Sequence, residues 1–188
     1  MKITKKQNRW LGAHKALEEY RRIRKETKKE DKKPVVSVYI DGLDLYSDCL
    51  KKVHIGKTLL DVGCGSQAIK RVVPKETIYT GLDPFPVVDD TVKMMIEQCN
   101  FENESFETVV CFAALDYTYD LSKALRQMSR IAACNIVILT YIDIGPKARE
   151  GHACAVSLQD LINNLPDYNL TLKQEIIPNL FLFEFTKS

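Results

Sequence analysis

The chain has 188 residues, 45% hydrophobic and 28% charged, which suits a single soluble domain; a chain of this size buries roughly 70% of its unfolded surface. No apolar run reaches the roughly 18 residues of a membrane helix and Met1 to Lys6 leads into no apolar stretch, so neither a membrane span nor a signal peptide is supported and a cytoplasmic protein is expected. The formal net charge of +2 hides a division: residues 1–33 hold thirteen Lys or Arg against five Asp or Glu, net +8, and the remaining 155 hold fourteen against twenty, net −6.

Within the basic segment, Trp10, Ala13, Leu17, Tyr20 and Ile23 recur at helical spacing, while Arg21, Arg22, Arg24 and Lys25 cluster behind them. This pattern predicts an amphipathic helix. Three uses are compatible with it: packing over the ligand cleft, contact with nucleic acid, or contact with an anionic membrane surface. Lys28 to Lys33 before Pro34 reads as a linker, so the expected division is a segment 1–33 and a domain 34–188. Val35 to Ile40 suits an extra strand or a packed extended stretch, and Leu43 to Lys52 a helix with Leu43, Tyr46 and Leu50 on one face.

Thr58-Leu-Leu-Asp-Val-Gly-Cys-Gly-Ser66 is a strand that ends in Asp61 and then in two glycines spaced by one residue. Glycine accepts positive φ and has no Cβ, so a ligand can approach the peptide groups of Gly63, Cys64, Gly65 and Ser66. Turns of this kind serve two ligand classes. A pyrophosphate at a helix N-terminus would face the negative charge of Asp61, whereas the ammonium and sulfonium of S-adenosyl-L-methionine would be favoured by it. Gln67 to Val73 allows only a brief helix before Pro74. Ile78 to Asp83 then predicts a second short strand whose terminal acid stands twenty positions after Gly63, one βαβ unit away. At that place Asp83 can accept from both ribose hydroxyls of an adenosine, with Pro84 fixing the turn behind it.

A third strand is expected near Thr91 to Ile96, and Phe101 to Tyr117 reads as a polar turn feeding a buried strand. In this order the segments resemble the class I S-adenosylmethionine-dependent methyltransferases, in particular the methyltransferase type 11 family, from about Lys57 to Tyr141. The resemblance implies that Asp61, Gly63, Cys64, Gly65 and Ser66 hold the methionine part, and Asp83 and Pro84 the ribose. The family's acid for the adenine amine falls at Met95. Adenine recognition is therefore expected from backbone at Met95 and Ile96, with packing by Phe85 or by Phe112 beside Cys111. Asn100 and Glu107 stand where the family usually has proline and aspartate.

Asp120 can cap a helix from Leu121 to Arg130, with Leu121, Leu125 and Met128 inward. The sequence then runs almost directly into a strand at Asn135 to Thr140, without the glycine turn usual in similar proteins. Ser157 opens another helix as a capping-box variant, and Leu170 to Ile177 with Leu180 to Phe185 suits an antiparallel hairpin. The expected fold is α/β: a Rossmann-like three-layer sandwich with a seven-stranded, mostly parallel sheet, antiparallel at its C-terminal end.

Methyl transfer needs alignment of the acceptor and at most one proton acceptor. The candidates are Asp116 and Tyr117, Tyr141 and Asp143, and His152; similar type 11 proteins often have histidine where Tyr117 stands. The six cysteines lack C-x-x-C spacing, so neither a disulfide nor a metal site is expected. No Asn-Pro-Pro-aromatic turn and no Pro-Cys pair is present, which disfavours exocyclic-amine and cytosine-ring methylation of nucleic acid. A small-molecule acceptor is the simplest expectation. The alternatives are a tRNA or rRNA methyltransferase using the basic segment, and a non-catalytic S-adenosylmethionine-binding or nucleic-acid-binding regulator.

Overall fold

The computed structural model describes residues 42–142 and 153–188. The expected helix and linker at 1–33, the stretch Val35 to Ile40, Asp143 and His152 lie outside the described residues.

Helix α1 (Gly42–Leu50) precedes β1 (Thr58–Val62), and β2 (Ile78–Leu82), β3 (Phe106–Phe112), α2 (Leu121–Ile131), β4 (Ala132–Tyr141), α3 (Leu158–Asn164), β5 (Tyr168–Ile177) and β6 (Leu180–Lys187) follow. The strands form one sheet in the order β2-β1-β3-β4-β6-β5. Strands β2, β1, β3 and β4 are parallel, and β6 and β5 add antiparallel to β4. From β1 the chain goes one way to β2 and the other way to β3, so the topological switch lies between β1 and β3. A crevice opens there at the carboxyl ends of parallel strands.

Strand alternation divides the interior in two. Leu60, Val109, Cys111, Ile136, Ile138 and Phe183 pack on the α2 and α3 side, whereas Leu59, Val110, Phe112, Val137, Leu139 and Leu182 pack on the α1 side. A strand buried on both faces reads as a continuous apolar run, as Val109-Val110-Cys111-Phe112 does. Helix α2 buries Ala124, Leu125, Met128 and Ile131, one face of a 3.6-residue repeat, and the Asp120 carboxylate caps it through the Lys123 N–H. Its last residue is followed at once by β4, and Tyr168 Oη closes this junction by donating to the carbonyls of Ser129 and Ala132. The expected Ser157 capping box at α3 is present in full with Asp160.

The strand expected at Thr91 to Ile96 is corrected: it shrinks to a single bridge between Leu82 and Val92, so six strands and not seven stand in the sheet among the described residues. Val92 exchanges backbone bonds with Gly81 and Asp83. Beyond Asp83 the partner backbone is Pro84 and then Pro86, which have no N–H to continue a ladder. The expected three-layer α/β arrangement holds otherwise.

The end of the sheet away from the crevice is held by a buried polar cluster. Thr108 Oγ1 donates to Asn135 Oδ1 at 2.7 Å, and Asn135 Nδ2 donates to the His54 carbonyl at 2.7 Å and to Glu184 Oε1 at 2.9 Å. Fully satisfied groups of this kind fix strand register. The crevice end carries the backbone strain and the buried carboxylates Asp61, Asp83 and Asp116.

Candidate active site at the carboxyl ends of the strands

Strand β1 ends in a turn that doubles back toward β2. Gly63 has φ +74° and Gly65 φ +51°, the left-handed region that side chains with a Cβ rarely adopt. A Cβ on Gly63 would stand 2.3 Å from the Cβ of Ala114, so the turn is seated directly on the end of β3. Ala113 beside it holds φ +51°, a local strain of the sort found at functional sites. The turn's N–H groups are bonded within the protein. Gly63 and Cys64 donate to the Leu82 carbonyl at 2.8 and 3.2 Å, and Gly65 donates to Asp83 Oδ2 at 3.0 Å.

These bonds decide what the turn can hold. A pyrophosphate site needs free N–H groups and a helix N-terminus behind them. Here three donors are committed, and a three-residue 3₁₀ turn, Ile69–Arg71, replaces the helix. Two buried carboxylates, Asp61 at 2% and Asp83 at 4% exposure, add negative charge. The donor set fits a ligand with cationic centres and vicinal hydroxyls, and it does not fit a dinucleotide.

Asp61 Oδ2 accepts from Tyr79 Oη at 2.6 Å. Burial raises its carboxyl to about 7, against the Tyr79 hydrogen bond, which lowers it, while the charge of Asp83 raises it further. Burial and the adjacent Asp61 charge drive the Tyr79 phenol far above its ordinary value. Asp83 Oδ1 accepts from the Phe85 N–H at 2.8 Å. Cys64 is buried against Gly81, whose added Cβ would lie 2.8 Å from its Sγ, and Ser66 is exposed at the rim.

Met95 is extended, and Ile96 opens a 3₁₀ turn, Ile96–Gln98, whose first N–H has no partner within the turn. Ile96 and Cys111 face the α2 side of the sheet, and Phe112 faces the other side, edge-on to Tyr46 with ring centroids 5.3 Å apart. Phe112 and Ile96 thus belong to different layers, which leaves Phe85, half-buried after Pro84, as the aromatic on the Asp83 side.

Asp116 is 4% exposed in the 3₁₀ turn Leu115–Tyr117 that follows β3. Its carbonyl accepts from the N–H groups of Ala153 and Cys154 at 2.9 and 3.0 Å, so the chain just after position 152 is fastened beside Asp116 and Tyr117. Glu97, which sequence reasoning missed, is 4% exposed, and its Oε1 accepts from Tyr119 N at 2.7 Å and Asp120 N at 3.1 Å. It ties the Met95–Ile96 segment to the entrance of α2. An acid two places after Met95, within an apolar stretch, was its signal. Next to this entrance a cavity of about 280 Å³ is lined by Tyr119, Asp120, Ser122, Ala153, Cys154 and Asp160. Among the described residues no group of three or more metal-ligating side chains forms, and no helix is long and apolar enough to cross a membrane.

Residues 60–135 match the family described as a methyltransferase domain. No curated protein sequence matches the chain. The fold is similar to that of a SAM-dependent methyltransferase from Aquifex aeolicus, at 15% identity and TM-score 0.62, over 87% of this chain and 97% of that one. It is similar as well to Burkholderia thailandensis 1,6-didemethyltoxoflavin-N1-methyltransferase with bound 1,6-didemethyltoxoflavin and S-adenosylhomocysteine, at 12% identity and TM-score 0.62, over 84% and 93% of the two chains. Magnesium protoporphyrin IX methyltransferase from Synechocystis PCC 6803, with bound SAM, is similar at 11% identity and TM-score 0.58, over 79% of each chain.

Proposed function

From residues 60–135, which match a methyltransferase domain, and a fold like that of SAM-dependent methyltransferases, we infer an S-adenosylmethionine-dependent methyltransferase that acts on a small-molecule acceptor. The observation that carries this reading is the glycine turn whose N–H groups are bonded internally between two buried carboxylates. Asp61 serves the ammonium of the cofactor and Asp83 its ribose hydroxyls, with Gly63, Cys64, Gly65 and Ser66 shaping the turn between them. Pro84, Met95, Ile96 and Cys111 line the adenosine side, with Phe85 taking the packing role that Phe112, held by Tyr46, does not supply.

The bound sulfonium supplies a methyl group that is already activated for displacement. The protein's part is then alignment of the acceptor and acceptance of a proton. Asp116 and Tyr117 stand after β3 at the switch point, and His152 is assigned the same task from its place in the sequence. The cavity beside Tyr119 and Asp120 is of a size for a small acceptor, and the related toxoflavin enzyme carries a small acceptor in its own structure. The basic segment 1–33, net +8, supports a second reading in which RNA is the acceptor.

Transfer of labelled methyl from S-adenosylmethionine to a panel of small amines, phenols and carboxylates, with bulk RNA alongside, tests both readings. Turnover on a small molecule is expected, with Asp116→Asn lowering kcat by about 100-fold or more and leaving cofactor affinity unchanged. Methylation of RNA alone, with retention that falls steeply with salt and is lost without residues 1–33, would establish the second reading. Cofactor binding without turnover on any acceptor would make the protein a regulator.

A further inference from the structure

Asp61 lies under the glycine turn at 2% exposure, and the groups around it come from four parts of the fold. Tyr79 of β2 donates to its Oδ2 at 2.6 Å. The groups whose charge acts on it or feels it are Asp83 at the end of β2, Cys64 in the turn, Tyr46 of α1 and, on the other face of the sheet, Cys111 of β3. All four are neutral or negative near neutral pH. Among the described residues Tyr79 is the one donor to this carboxylate. The ring of Tyr79 is itself held from outside, with Lys70 Nζ 5.7 Å from its centroid and paired to Asp90.

We propose that Tyr79 is a positioning residue for the cofactor: its hydroxyl holds Asp61 through Oδ2 and favours the ionised form, with Oδ1 left for the ligand's ammonium. The proposal rests on the reading that S-adenosylmethionine is the cofactor. A carboxylate buried next to another carboxylate favours its protonated form, and a protonated Asp61 neither attracts an ammonium nor accepts from it on both oxygens. The Tyr79 hydrogen bond opposes this by stabilising the anion. Tyr79 thereby acts on cofactor binding through Asp61 and without touching the cofactor. Its place in the sequence gives no hint of this, since a tyrosine on a short strand reads as core.

The sign of the pH effect follows. Asp61 must be ionised to bind, so affinity rises with pH through the carboxyl's midpoint and falls again where the ligand's own α-ammonium loses its proton, an effect common to wild type and variants. Removing the Tyr79 donor moves that midpoint upward and weakens binding at every pH below the new midpoint, by the full factor once pH is below the wild-type midpoint. Tyr79→Phe keeps the ring against Lys70 and deletes only the hydroxyl.

Calorimetric titration of the full chain with S-adenosylmethionine between about pH 6 and pH 9 tests the proposal on wild type, Tyr79→Phe and Asp61→Asn, with melting temperatures recorded for each. Tyr79→Phe is expected to bind about tenfold more weakly at neutral pH, to recover toward wild type in alkali, and to melt close to wild type. Asp61→Asn is expected to bind weakly at every pH, with no rising limb in this range. A wild-type pH profile in Tyr79→Phe overturns the proposal, whatever that variant's stability. Failure of wild type to bind S-adenosylmethionine at all overturns the cofactor reading instead, and the proposal with it.

Discussion

Gly63→Ala is expected to lower the melting temperature by roughly 5 to 20 °C and to abolish cofactor binding. Two costs combine. Gly63 holds φ +74°, where an alanine is strained by about 1–2 kcal/mol. Its new Cβ would also meet the Ala114 Cβ at 2.3 Å, and overpacking of that severity costs about 1–3 kcal/mol. For a domain of this size each kcal/mol moves the midpoint by about 2–4 °C. The turn cannot relax outward cheaply, because Gly63 N and Cys64 N are both bonded to the Leu82 carbonyl. Adding Ala114→Gly removes the clash and leaves the strain. The double variant should therefore recover about half of the loss, and full recovery would show that strain contributes nothing. Thermal denaturation of the three variants measures both terms through one cycle.

Asp83→Ala is expected to reduce affinity for S-adenosylmethionine at least about tenfold. In the ribose role proposed for Asp83, two charge-assisted hydroxyl contacts are lost, each worth on the order of 1.5–3 kcal/mol. The same carboxylate accepts from Gly65 N and Phe85 N, so the variant also leaves two backbone donors without their acceptor and loosens the turn. One effect opposes these. Removing the charge of Asp83 relieves Asp61, whose carboxyl it pushes up, and favours the ionised form that meets the ammonium. Asp83→Asn keeps an acceptor oxygen and should fall between alanine and wild type in both affinity and melting temperature. Equal affinity of Asp83→Ala and wild type would move the ribose site elsewhere in the crevice.

The parts of this site that were legible in the sequence are those where chemistry and spacing coincide along the chain. Asp61, the Gly63-Cys64-Gly65 turn and Asp83 twenty positions on describe one βαβ unit, and the chain can only bring them together at adjacent strand ends. The caps of α2 and α3 are equally local, because an Asp or Ser and the N–H three residues later settle them. Strand extent was less legible. Thr91 to Ile96 has strand-like composition, but Pro84 and Pro86 on the partner segment limit it to one bridge, a property of the neighbour and not of the segment itself. The choice between Phe85 and Phe112 stayed open in the sequence for a related reason, since β3 is buried on both faces and alternation alone does not say which face Phe112 takes. Tyr79 gave no signal and Glu97 only that of an acid in an apolar stretch, because their roles depend on partners 18 and 22 residues away.

Calorimetry with S-adenosylmethionine and with NAD on the same wild-type preparation distinguishes a crevice for the sulfonium cofactor from one for a dinucleotide. The turn N–H groups bonded to Leu82 and Asp83, and the two carboxylates beside them, predict saturable binding of S-adenosylmethionine and no heat from NAD. Saturable binding of NAD, with none of S-adenosylmethionine, would contradict the account.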